Sequence, residues 1–106
     1  MTGENIPSIQ EVGILAETFR LLGDPTRLRI LFYCLGGPRA VGDIAESLGL
    51  SQTLVSHHLR LLRAARLVKG ERQSKHVFYQ LADSHVSDML TDMATHLREE
   101  EHEHGE

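Results

Sequence analysis

The sequence predicts a small, mainly α-helical fold that carries one two-stranded antiparallel hairpin. Apolar residues recur at helical spacing in four segments before residue 65 and in a fifth after residue 83. Between these segments the pattern changes to the alternation typical of strands. The two alternating sets are Val77, Tyr79 and Leu81, and His76, Phe78 and Gln80. Because 106 residues is the length of one domain, we expect residues 1–106 to form a single domain, with a disordered start and an acidic, histidine-containing tail over 100–106.

Start and stop signals define the first two helices. Residues 8–22 show helical spacing of apolar side chains, and Gly23 ends that segment. Asp24 and Pro25 then begin a second helix, because aspartate caps a helix N-terminus and proline fits its first position. The Gly-Gly-Pro run at 36–38 ends the second helix.

Two further helices are separated by a glycine break. The third is expected over about 41–48, where Gly49 ends it, and Ser51 is a good N-cap for a fourth over about 52–64. The inward stripe of the fourth helix consists of Val55, Leu59 and Leu62. Helix, glycine turn, helix and basic hairpin in this order predict a winged helix-turn-helix, whose fourth helix enters the major groove of DNA.

The charge of the chain is unevenly distributed. The net charge is -4, yet residues 51–80 carry six basic side chains against the single acid Glu71, and residues 83–106 carry eight acids against Arg98. A charged segment by itself could also be an ordinary surface exposed to solvent. The basic segment coincides with the predicted reading helix and wing, however, which favours nucleic acid over a protein-binding module.

The side chains expected to meet DNA lie opposite the apolar stripe of the fourth helix and on the hairpin. Glutamine can pair with adenine, arginine with guanine, and serine or threonine with a base or a phosphate, whereas basic hairpin residues suit the backbone or minor groove. The predicted DNA-binding residues are Ser51, Gln52, Thr53, Ser56, His57 and Arg60 on the helix, and Lys69, Arg72 and Lys75 on the hairpin.

The last helix, expected over about 84–99, carries two pairs of potential metal ligands. His85 and His96 are eleven residues apart, which is about 16 Å along a helix and returns to nearly the same face. Asp83 accompanies the first histidine, and Glu99 lies one turn beyond the second. Two such helices packed antiparallel in a homodimer would unite the first pair of one subunit with the second pair of the other. Two imidazoles and two carboxylates suit zinc, so we predict two intersubunit zinc sites.

Three parts of the sequence resemble the ArsR/SmtB family of metal-sensing repressors. Residues 24–31 (DPTRLRIL) are similar to its second helix, residues 50–62 (LSQTLVSHHLRLL) to its reading helix, and the Asp-x-His and His-x-x-Glu pairs to the last-helix site of its zinc- and cobalt-responsive members. The resemblance spans residues 10–99 and implies a repressor dimer that leaves an inverted-repeat operator when Zn(II), or Co(II), binds, which derepresses genes for metal efflux or resistance. His58 departs from the family pattern, where glutamine is more usual.

Other functions are less favoured by the sequence. Cys34 is the single cysteine, and residues 39–44, where the family's thiolate sites begin, have none, so we expect no arsenic, cadmium or lead site. Without a signal peptide or an 18-residue apolar run, the expected location is the cytoplasm. Ser56 beside His57 lacks an orienting acid, and we expect no enzyme. A Ni(II) or Co(II) sensor that recruits His102 and His104, or a metal-buffering protein, remain alternatives.

Overall fold

The computed structural model describes residues 5–104, with side chains through residue 99. This part of the chain forms five α-helices and three strands, and the predicted mainly α-helical winged fold is confirmed. The elements in order are α1 (Ile9–Leu22), α2 (Pro25–Cys34), β1 (Arg39–Ala40), α3 (Val41–Leu48), α4 (Gln52–Ala64), β2 (Val68–Gln73), β3 (His76–Leu81) and α5 (Ser84–His104). The last helix thus continues five residues beyond its predicted end.

Side-chain caps determine where four of the helices begin. Ser8, Asp24, Ser51 and Asp83 each accept a hydrogen bond from the backbone N–H three residues later. These bonds satisfy N–H groups that have no partner inside the helix. The predicted caps Asp24 and Ser51 are confirmed. Ser8 also receives a reciprocal bond, because its own N–H donates to the Glu11 carboxylate.

The strands form a three-stranded antiparallel sheet in the order β1-β3-β2. The sequence predicted only the hairpin of β2 and β3, because the two-residue strand β1 is too short to show alternation. The hairpin is paired as far as Gln73 opposite His76, so its loop consists of Ser74 and Lys75. Ser74 takes a positive φ of 59°, since two-residue hairpin loops require this conformation and the loop has no glycine.

The hydrophobic core lies between α2, α3, α4 and the base of the wing. Five of its side chains are 0% exposed: Ile30, Leu31, Ile44, Val55 and Leu62. From β2 and α5, Val68 and Leu90 close the same cluster. In α1, only Leu21 and Leu22 at its C-terminal end are buried. No helix of the described chain is both long and apolar enough to cross a membrane.

Candidate nucleic-acid interface and metal centre

The helix-turn-helix is held by the features that its sequence predicts. Ala45 and Val55 are 5% and 0% exposed, so α3 and α4 meet closely at these positions. Gly49 adopts the left-handed conformation, with φ at 70°, which a residue with a Cβ rarely adopts. The next N–H, that of Leu50, donates to the carbonyl of Ala45 and completes the turn. This packing fixes which face of α4 points outward.

The predicted DNA-contacting side chains of α4 lie on that outward face. Ser56 is half-buried, and the other five are exposed: Ser51, Gln52, Thr53, His57 and Arg60. Ser51 also serves as the N-cap through its hydroxyl oxygen. A Cβ placed on Gly42 would lie 3.6 Å from Nε2 of Gln52, so the Gln52 amide lies beside the start of α3. The face is therefore available to a groove of DNA, and which of its residues contact bases stays a prediction.

The wing presents basic groups on more than one side. Lys69 and Arg72 lie three residues apart in β2, whose pairing with β3 is continuous, so they point to opposite faces of the sheet. Lys75 lies in the hairpin loop, and all three side chains are exposed. A duplex that meets one face and the tip of the wing would contact Lys75 together with only one of the other two.

Of the four predicted metal ligands, Asp83 and His85 lie at the start of α5, His96 and Glu99 lie in its second half, and all four are exposed. Asp83 caps the helix by accepting a hydrogen bond from the N–H of Val86 on Oδ1, at 3.1 Å. Within the part of the chain that the structure describes, no three His, Cys, Asp or Glu side chains lie close enough to hold a metal ion. Asp83 and His85 are thus not brought together with His96 and Glu99 inside one chain. The intersubunit zinc site stays a prediction, and the side chains of His102 and His104 lie outside the described residues.

An apolar groove of about 670 Å³ runs along α5, between it and the first two helices. Phe19, Met93 and Leu97 line it while remaining 58 to 59% exposed. His96 lies in the same lining, so the second ligand pair and the groove share one surface. The lining residues are Phe19, Leu22, Leu28, Phe32, Met89, Leu90, Met93, Ala94, His96, Leu97 and Arg98.

Two titratable side chains are buried in the reading head, the unit formed by α2, α3, α4 and the wing. Cys34 is 2% exposed, and burial raises the pKa of its thiol to about 11. It is a protonated thiol at neutral pH and behaves as a small apolar residue. The second is His58, which is 8% exposed on α4. Sequence reasoning noted His58 as unusual but did not predict its burial, although its position three residues after Val55 is the signal that could have shown it.

Comparison with known proteins assigns the family. The family model "Bacterial regulatory protein, arsR family" matches residues 24–69, from the cap of α2 to the start of β2. The transcriptional repressor SmtB homolog of Synechocystis is 39% identical over 94 residues, which are 89% of this chain and 71% of that protein. The chain belongs to the arsR family. This family consists of transcriptional regulators, so the expectation that the chain is no enzyme is confirmed.

Two solved structures show a similar fold. The homodimeric winged helix-turn-helix DNA-binding domain Mb0332 of Mycobacterium bovis superposes with a TM-score of 0.82 at 26% identity, over 93% of this chain and 92% of that one. The cadmium metal-sensor CMTR of Mycobacterium tuberculosis is 43% identical, with a TM-score of 0.65 over 73% of this chain and 80% of that one. Both are similar to this arsR-family chain over more than two thirds of its length.

Proposed function

We propose that this arsR-family regulator is a metal-responsive repressor of the cytoplasm. In the proposal, a metal-free homodimer binds an inverted-repeat operator, and Zn(II) binding at two intersubunit sites lowers its DNA affinity and derepresses genes for metal efflux or resistance. The observation that carries the proposal is the separation of two surfaces on one chain. The reading face lies on α4 and the wing, whereas the candidate ligands lie on α5.

The DNA-binding part of the proposal is supported by the outward face of α4. Short polar side chains and Arg60 are exposed there, above a core that holds the helix rigidly through Val55, Leu59 and Leu62. Rigid presentation of polar side chains is what base readout in the major groove requires. The similar domain of Mycobacterium bovis is described as homodimeric and DNA-binding, which agrees with this use of the face.

The homodimer is supported by apolar surface that a single chain leaves uncovered. Along α1, Ile9, Val12, Leu15 and Phe19 are between 44 and 93% exposed, and on α5 Met93 and Leu97 are more than half exposed. Patches of this kind mark interaction sites, and a second copy of the chain offers the same surface in return. Pairing through α1 and α5 would bury this surface and bring two copies of α5 near each other.

The donor set of α5 fits a zinc ion. Two imidazoles and two carboxylates are ligands that zinc accepts in tetrahedral sites, and all four side chains are accessible. The cap of α5 uses Oδ1 of Asp83, and a carboxylate carries a second oxygen that can bind a metal. Although CMTR is a cadmium sensor, a thiolate site is not expected here, because the single cysteine is buried and its pKa is raised to about 11.

Metal binding must weaken DNA binding for repression to be relieved. Four ligands shared by two subunits would set the relative orientation of the two reading heads, and half-site spacing tolerates little change in it. The family resemblance would place a link between His96 and the reading helix near Arg66, just after α4 ends. A useful switch requires a coupling of about 3 kcal/mol or more, since ~1.4 kcal/mol changes affinity only tenfold.

The test is a titration of the operator complex with zinc, cobalt, nickel and cadmium in parallel. The DNA is first selected from a random duplex pool by the metal-free protein, and affinity is then followed by fluorescence anisotropy. We expect zinc to lower DNA affinity more than a hundredfold, and DNA to weaken zinc binding by the same factor. His96→Ala should abolish the effect, whereas the matched control Asp92→Ala, an exposed acid on the same helix, should retain it.

Equal zinc affinities with and without the selected DNA would contradict the repressor mechanism. A strongest response to nickel, lost on removal of His102 and His104, would favour the nickel sensor. Tight zinc binding by a protein that selects no sequence from the pool would favour a metal-buffering protein, which also relies on the ligands of α5.

A further inference from the structure

The reading helix carries a buried histidine, and this helix packs against α2. His58 lies on the inner side of α4 and is 8% exposed, beside the fully buried Val55 and the nearly buried Leu59. Among the described residues, its ring atom Nδ1 has no hydrogen-bond partner. The ring nitrogen of a neutral imidazole can remain an acceptor without carrying charge, whereas a buried imidazolium needs compensation.

Arg27, in the first turn of α2, is the charged side chain with the largest electrostatic effect on His58. Its Nη1 donates to the carbonyl of Leu21 at 3.2 Å, and its backbone N–H donates to the Asp24 carboxylate at 2.9 Å. The Nε of Arg27 is also buried without a hydrogen-bond partner in the described part of the chain. The guanidinium is therefore held at the junction of α1 and α2 by its bond to the Leu21 carbonyl.

The charges around His58 oppose its protonation. Burial is the largest cause that lowers the pKa of the imidazole, and Arg27 lowers it further. Asp24 acts in the opposite direction, and the neighbouring His57 on α4 again lowers the pKa. The other elements packed on α4 are α3 and β2, and their charged side chains are exposed: Asp43, Glu46, Lys69, Glu71 and Arg72.

We propose that His58 is a positioning residue whose neutral ring seats the reading helix against α2, and that its protonation releases this seat and lowers DNA affinity. A proton on the ring would place a second cation in a buried site that already holds the Arg27 guanidinium. Movement of the protonated ring toward solvent would relieve this repulsion with the smallest structural change. Because His58 lies within α4, that movement would tilt the helix. The adjacent Ser56, His57 and Arg60 would then leave their DNA-binding positions. The affinity part of this inference rests on the proposed function, whereas the ring titration and the helix movement do not.

The sign of the effect follows from linkage. Because the folded-state pKa is lowered relative to the unfolded chain, folding favours the neutral ring. Its contribution to stability is fully present above the ordinary histidine pKa of about 6.5 and is lost as the pH falls through the folded-state value. Operator affinity should therefore decline on the acidic side of neutrality, by at most about tenfold per pH unit for each subunit.

The first experiment measures the ring directly, by NMR titration of the metal-free protein. A short unstructured histidine peptide, with the ordinary histidine pKa of about 6.5, serves as the reference. We expect His58 to titrate at a lower pH than this peptide, with the amide signals of Ser56 and Arg60 following the His58 transition. In Arg27→Gln the His58 titration should move to higher pH, because the neighbouring cation is removed. Titration of His58 at the pH of the peptide, or no movement in Arg27→Gln, would overturn the proposal.

The second experiment follows DNA affinity between pH 5.5 and 8, on the duplex selected by the wild-type protein, in the presence of a metal chelator. His58→Gln keeps a neutral polar side chain and should bind at pH 8 like the wild type while losing the acidic decline. The control His76→Gln should keep that decline. An unchanged decline in His58→Gln would contradict the affinity part of the proposal. A protein that binds no selected DNA at any pH would contradict the proposed function, and the ring titration would still decide whether His58 senses protons.

Discussion

The reading head and the α1–α5 surface differ in how much of their structure one chain supplies. In the head, α2, α3, α4 and β2 surround side chains with almost no exposure, and a positive φ occurs at Gly49, directly after α3, and at Arg66, two residues after α4. At the α1–α5 surface, apolar side chains such as Ile9 and Leu97 face outward, and the ligand pairs of α5 stay apart. The head is thus complete in a monomer, whereas the other surface leaves apolar side chains exposed and its candidate ligands apart.

In the proposed function, the reading head binds DNA and the α1–α5 surface senses the metal. A DNA-reading face needs rigid, preorganised side chains, and a core within one chain provides that rigidity at any protein concentration. A sensing surface must respond to a ligand, and a site divided between two copies can change their relative orientation when the ligand joins them. The following experiments test this division, beginning with the largest expected effect.

Truncation of a core side chain should destabilise the head far more than truncation at the α5 surface destabilises the monomer. Leu62 is fully buried, so Leu62→Ala should lower the free energy of unfolding by about 2 to 5 kcal/mol. Met93, at 59% exposure, is the matched control, and Met93→Ala should cost far less at low protein concentration. Urea unfolding at two protein concentrations measures both. If both variants lost equal stability when dilute, α5 would belong to the monomer core.

Mixing two metal-binding variants should restore a site that neither variant has. His85→Ala and His96→Ala homodimers each lack one imidazole at both sites, and should bind zinc weakly. In the mixed dimer one site loses both imidazoles, while the other keeps all four ligands. Zinc titration against a competing chelator should therefore reveal tight binding only after subunit exchange. Tight zinc binding by either variant alone would place the site within one chain.

Substitutions on α4 and on the wing should affect DNA binding in different ways. Gln52→Ala removes an exposed amide that can read a base, and should cost about 1 to 3 kcal/mol of discrimination between selected and random DNA. Arg72→Ala should weaken binding to both DNAs and reduce its dependence on salt. Anisotropy titrations at several salt concentrations distinguish these outcomes. Equal losses on random DNA for both variants would contradict base readout by α4.

The smallest expected effect is at the beginning of α1. Ser8 accepts from the N–H of Glu11 and its own N–H donates to the Glu11 side chain, so Ser8→Ala removes half of a reciprocal cap. We expect the free energy of unfolding to fall by about 0.5 to 1 kcal/mol. DNA affinity should be unchanged. Ser8→Asp, which can cap, is the matched control. A large loss of DNA affinity in Ser8→Ala would show that α1 also positions the reading head.

Local signals in the sequence determined most of the helices and the type of the DNA-reading unit. The caps Asp24 and Ser51, the break at Gly49 and the stripe of Val55, Leu59 and Leu62 depend on residues near one another in the chain. Such short-range effects can be predicted from the sequence alone, because capping and helical periodicity act over a few residues. The candidate ligand pairs of α5 were predicted in the same way, since helix geometry alone relates them, and they remain a prediction.

The tertiary structure decided what depends on contacts between distant segments. Strand β1 exists because Arg39 and Ala40 pair with Tyr79 and Phe78, some forty residues later, and two residues carry no periodicity of their own. The burial of His58 follows from α2 packing across α4, which places Arg27 and Asp24 beside a ring that the sequence shows only as an exception. Which apolar side chains lie inside and which remain on the α1–α5 surface was likewise decided by packing, because helical spacing identifies an apolar face but not its partner.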